Sequence, residues 1–221
     1  MTTLYVYNNQ AGRFETVKDP YAGLPFVRYS KLTMRDLLGH WQPEIAWTDR
    51  RALEAYDACC ALWRETIPVN SAFRPLCVCR TAYPSAHYAG CAFDMGKRFP
   101  ASKRERLRLA CINDGEWDYV EPSHTAPTWV HAEIRPDCGK SPRNLFPRLR
   151  IGDKGVYVFL LQEALSLLNA SLEAASGCFT ANTKNALIRF QKEQGLIQTG
   201  ETDPHSWAAL FHRSCAKNGT L

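Results

Sequence analysis

The chain has 221 residues, of which 45% are hydrophobic and 22% charged. That balance belongs to a folded globular protein and excludes disorder as its main state. Its formal charge of +5 is spread along the chain and gathers into no basic stripe, so nucleic acid is not an expected partner. No run approaches the roughly 18 apolar residues of a membrane span, and the N-terminal MTTLYVYNNQAGRFETV has neither a basic region nor an apolar core. Neither a span nor a cleaved signal peptide is expected, and action outside the cell would need another route, such as lysis.

In chain order, the first clear element is a helix over 49–66, where Leu53, Tyr56, Cys60 and Trp63 recur at helical spacing behind a cap at Thr48 or Asp49. Pro68 to Pro75 is a short extended stretch containing Arg74. Cys91–Met95 reads as a strand whose alternation sets Asp94 and Ala92 against an apolar face of Cys91, Phe93 and Met95. Ala101 to Ala110 is a basic helix or turn, its arginines assigned to a solvated face. A second strand, Trp129–Ile134, buries Val130, Ala132 and Ile134 and turns Trp129, His131 and Glu133 the other way. Helix alternating with strand predicts an α+β domain with a small antiparallel sheet over 1–136.

Residues 137–149, rich in proline and basic side chains, read as a linker. From 150 to 213 the pattern becomes helical throughout: Val158, Leu161, Leu165 and Leu168 in one helix, Ala186, Leu187 and Phe190 in a second, and Trp207, Leu210 and Phe211 in a third opened by Asp203-Pro204. These make a three-helix bundle. Nine cysteines leave at least one without an intrachain partner, and buried free thiols are the expected state. Neither the adjacent Cys59-Cys60 nor the C-x-C of Cys77 and Cys79 has the spacing of a structural zinc pair.

The chemistry lies in Ser85-Ala-His87-Tyr-Ala-Gly90-Cys-Ala-Phe-Asp94 and the later Trp129-Val-His131-Ala-Glu133. Gly90 allows a turn that folds His87 back beside Asp94. Two imidazoles and one carboxylate leave one position of a tetrahedral zinc ion open, as catalytic sites do. His40, His205 and His212 have no such company and read as surface residues.

Two resemblances extend this reading. The bundle's G-x-x-G-x-x-V-x-x-L-Q, T-x-x-A-L-x-x-F-Q-x-x-x-G-L and S-W-x-x-L, with Gly152, Gly155, Gln162, Thr183, Gln191, Gly195 and Trp207 in place, resemble the peptidoglycan-binding domains. S-x-H-x-x-G-x-A-x-D with a following W-V-H-x-E resembles the zinc D-alanyl-D-alanine carboxypeptidases and related wall endopeptidases, whose fold is shared with the hedgehog signalling domain. The second resemblance implies Zn2+ held by His87, Asp94 and His131, and an Arg74 that binds the substrate or makes a structural ion pair. It also implies a general base before the last ligand, where this chain departs from the pattern. Glu121, His124 and Glu133 are the candidates, with Glu121 preferred. The implied protein is a monomeric zinc peptidase of the cell wall, D,D-carboxypeptidase or endopeptidase. A zinc-retaining module that binds peptidoglycan without cutting it, and a peptidase of soluble dipeptides, are the alternatives.

Overall fold

The computed structural model describes residues 1–78, 84–136, 146–168 and 174–217. They form two compact units, one of Met1–Arg74 with Ala89–Arg135 and one of Pro75–Tyr88 with the chain from Pro136 onward. Part of the expected linker (137–145) and Cys79 and Cys138 lie outside the described residues.

The first unit opens with a hairpin, β1 (Thr3–Asn8) and β2 (Arg13–Val17), and β3 (Ile45–Asp49) joins β1 in parallel, giving the order β2-β1-β3. Leu4 and Val6 are fully buried, while Tyr5 and Tyr7 pack on Phe14 at ring distances of 6.2 and 5.0 Å. This sheet was not expected, and its β1–β3 pairing is parallel where only antiparallel pairing was foreseen. A short helix α1 (Met34–Leu38) follows, capped by Thr33. Helix α2 (Arg50–Trp63) leaves β3 directly, with Asp49 accepting the Arg51 amide at 2.9 Å as the cap.

The second sheet has the order β4 (Val69–Ser71), β5 (Ala92–Met95), β7 (Val130–Glu133), β6 (Tyr119–Val120), antiparallel throughout. Its apolar side packs through Phe93, stacked on Tyr56 of α2 at 5.0 Å and edge-on to Trp117 at 5.8 Å. Helix α3 (Ala101–Asn113) meets α2 where the buried thiols of Cys59 and Cys111 sit 3.2 Å apart. Its arginines do not all face solvent as expected: Arg108 is only 3% exposed.

The second unit is built on α4 (Val156–Leu167), α5 (Ala181–Glu193) and α6 (Pro204–Lys217), the expected three helices. Two buried glutamines tie its loops. Gln162 accepts the amides of Ser176 and Gly177 at 2.9 and 3.0 Å and donates to Cys178 O and Thr183 Oγ1. Gln191 accepts from Gly200 at 2.9 Å and donates to Glu201 O and Ser206 Oγ. Each amide side chain satisfies backbone groups that the loops leave unpaired. The end of the expected linker belongs to this core: Phe146 packs between Tyr157, Trp207 and Phe211, and Trp207 Nε1 donates to Pro147 O at 2.9 Å. Cys215 is disulfide-bonded, which departs from the expectation of free thiols, whereas Cys59, Cys60 and Cys111 are free thiols and buried as expected.

Within this unit residues 75–78 and 84–88 lie against the helices. Tyr88 packs on Phe211 at 5.8 Å, and the Leu76 amide donates to Glu163 Oε2 at 3.3 Å. Burial pushes the Glu163 carboxyl from 4.5 up to about 7, against the lowering effect of that amide. The folded protein therefore binds a proton more tightly there than the unfolded chain, so the contribution of Glu163 to stability is greatest below pH 4.5 and is lost as pH rises through about 7. The shift corresponds to about 3 kcal/mol. Glu163→Gln is expected to flatten the melting temperature between pH 4.5 and 8 and raise it at the alkaline end. An unchanged slope in thermal melts would refute this.

Candidate metal centre

In an antiparallel ladder, directly opposed residues project from the same face. Ser71 opposes Asp94, and Asp94 opposes His131. The pairs Tyr119–Glu133 and Val120–Ala132 carry the register on to Glu121, whose amide donates to His131 O at 2.9 Å. One row across all four strands thus carries Ser71, Asp94, His131 and Glu121. The sheet register alone sets each of these polar residues beside the next.

His87 arrives from the single helical turn Ala86–Ala89 that precedes β5. Gly90, at φ 65°, ends that turn; a Cβ there would lie 2.1 Å from Trp47 O, so no larger residue fits. Thr48 Oγ1 locks the same residue by donating to Gly90 O at 2.7 Å. The outcome is a group in which ligand atoms of His87, Asp94 and His131 all lie within 4.8 Å of one another. His87 is 2% exposed and Asp94 8%. Two of the three are thus buried, while His131 is partly exposed.

The residues around this group hold it in a charged network. Arg74 Nη2 donates to Asp94 Oδ2 at 2.6 Å and its Nε to Ser71 Oγ at 2.9 Å. His131 shares its Nδ1 with Asp94 Oδ1 at 2.8 Å and its Nε2 with Glu133 Oε2 at 3.1 Å. Burial alone would lower the His131 pKa, but hydrogen bonds and charge from Asp94 and Glu133 outweigh it and raise it to about 9. Burial likewise pushes Glu133 up, yet the hydrogen bonds of His131 and Arg135 leave its carboxyl below the ordinary value. Arg135 Nε donates to Glu133 Oε1 at 2.6 Å and its guanidinium lies 4.1 Å from the Tyr119 ring centre.

One buried and one partly exposed imidazole, with a buried carboxylate, converging this closely match the donor set of a zinc ion with one coordination position open. Glu133 on one nitrogen of His131 leaves the other directed to the Asp94 side, which is the arrangement that fixes a ligating histidine's tautomer. Of the three base candidates, Glu121 stands in the row, Glu133 is engaged with His131 and Arg135, and His124 is exposed in the loop that follows Glu121. Arg74 makes an ion pair with Asp94. His40, His205 and His212 are exposed. Ser71 and Arg135 escaped the sequence reading. Ser71 sits three residues before Arg74, and Arg135 two after Glu133, so strand alternation offered a signal for the latter.

The helical unit defines a class by its ordered landmarks, in which the buried Gln162, Gln191 and Trp207 tie loops to helices. Residues 154–210 match the family model described as "Putative peptidoglycan binding domain". This part of the chain matches a peptidoglycan-binding domain, which points to peptidoglycan as a partner and to an association with the cell wall. No helix among the described residues is long and apolar enough to cross a membrane.

Proposed function

We propose that the protein is a zinc-dependent peptidase of bacterial peptidoglycan, a D,D-carboxypeptidase or an endopeptidase, held on its substrate by the C-terminal domain. The observation that carries the reading is the convergence of His87, Asp94 and His131, with Glu121 in the same cross-strand row as the last two. His87, Asp94 and His131 would hold the ion, which when bound lowers the pKa of water to about 7 and polarises a carbonyl.

The side chains supply the rest. Glu121 takes the proton of the attacking water and returns it to the departing amine, as a general base and then acid. Arg74, fixed by Ser71 and Asp94, offers its remaining donor surface to the anionic oxygen that develops on the substrate. Glu133 and Arg135 keep the His131 ring in one orientation. The peptidoglycan-binding domain raises the local concentration of peptide stems around the site.

The deciding experiment incubates purified peptidoglycan with zinc-loaded protein, with and without a chelator, and reads soluble fragments by mass spectrometry. The expected result is loss of a terminal D-alanine or opening of cross-links, abolished by chelation and restored by zinc. Binding without product would overturn the peptidase and leave a recognition module.

A further inference from the structure

The loop Glu121–Trp129 joins the end of β6 to the start of β7, so it connects the proposed base to the strand that carries His131. It contains Pro122 and Pro127 and makes a turn in which Thr125 and Ala126 both donate their amides to Pro122 O at 3.1 Å. Helix α3 grips it from outside. Arg108 donates through Nη2 to Ala126 O and to Trp129 O, both at 2.9 Å, and through Nη1 to Glu121 O. One helical turn earlier, Arg104 Nη2 donates to Pro127 O at 3.1 Å.

Two features set this apart from ordinary packing. A guanidinium that is 3% exposed is costly to bury, and its carboxylate partner Glu105, at 3.3 Å from Nε, is itself half exposed. Most of the compensation comes from loop carbonyls. The same guanidinium also holds both ends of the loop, Glu121 and Trp129, at once. With the Glu121 amide bonded to His131 O and its carbonyl to Arg108, both backbone polar groups of the base are fixed. The planar fork of donors that does this is one an ammonium cannot reproduce.

We propose that Arg108, with Arg104 as a second grip, is a positioning residue that sets Glu121 and the start of β7 at a fixed separation. The role rests on the peptidase reading above and acts through Glu121, without contact to substrate. A base moved by about 1 Å costs on the order of a hundredfold in rate, which is the sensitivity that a rigid loop protects.

The test compares wild type, Arg108→Lys and Arg104→Ala for hydrolysis of peptidoglycan fragments, zinc affinity by chelator competition, and hydrogen exchange of the Thr125 and Ala126 amides. Arg108→Lys is expected to lower kcat about 100-fold with KM and zinc affinity changed less than about threefold, and to expose both amides to exchange. Arg108→Ala should recover part of the lost rate when millimolar guanidinium is added. Arg104→Ala, which removes the one Arg104 contact to the loop together with a bond to Phe99 O, should cost about tenfold in kcat and settles the matter if the Arg108 variants do not fold. Amides as protected as in wild type, or kcat unchanged beside an active wild type, would overturn the proposal, as would zinc lost in step with kcat. A wild type without product sinks the peptidase reading and with it the positioning role, and the exchange data still report separately whether Arg108 holds the loop.

Discussion

Replacing Asp94 by alanine is expected to abolish zinc retention and hydrolysis together while the fold persists. Asp94 stands at the centre of the cross-strand row, opposed by Ser71 and His131, and its two oxygens accept from Arg74 at 2.6 Å and His131 at 2.8 Å. Alanine removes one of three ligands, so zinc affinity should drop by more than the 10–100-fold, roughly, that loss of a mere supporting group costs. It also leaves Arg74 and His131 facing each other without the intervening anion. That should destabilise the metal-free protein by about 1–3 kcal/mol, below the figure for a fully buried pair because Arg74 is partly exposed. Asp94→Asn keeps the volume and loses the charge, and should resemble alanine in zinc affinity. Titration with a chromophoric chelator, beside circular dichroism, reads both quantities. An Asp94→Ala protein that keeps zinc and cuts peptidoglycan would sink the ligand assignment.

Strand alternation was enough to place Asp94 and His131 on the same kind of face, because a two-residue period is local and each strand carries its own apolar side. Gly90 announced the turn that brings His87 back, since a residue with no Cβ is required against Trp47 O. The register between strands was not legible. That Glu121 lies opposite His131 depends on where β6 pairs with β7, which short strands of two and four residues do not encode in their composition. The first sheet was missed for a related reason: β1 and β3 pair across about forty residues, and parallel pairing leaves no hairpin signature. Arg108 was misread because charge on a helix normally faces water. The buried stripe of Leu107 and Cys111 runs beside it, and the carbonyls that receive it come from a distant loop. The helical domain was the most legible part. Its landmarks Gln162 and Gln191 both satisfy loop amides from within a helix, at positions that the helical spacing shows.

The assignment of the base separates cleanly from that of the supporting carboxylate. Glu121→Gln keeps the backbone bonds to His131 and Arg108 and removes only the proton acceptor, so kcat is expected to fall by about 10²–10⁴ with zinc affinity essentially intact. Glu133→Gln acts elsewhere. It weakens the hydrogen bond to His131 Nε2 and strands Arg135, and the expected loss is about 10–100-fold in zinc affinity, with activity largely recovered at saturating metal. His124→Ala, on an exposed position, should leave both quantities near wild type. The pattern is read by kinetics over a zinc titration for the three variants. If Glu133→Gln cannot be rescued by metal while Glu121→Gln stays active, the roles are reversed. The row across β5, β7 and β6 would then position the ligands alone, and the proton would leave through the carboxylate that also orients His131.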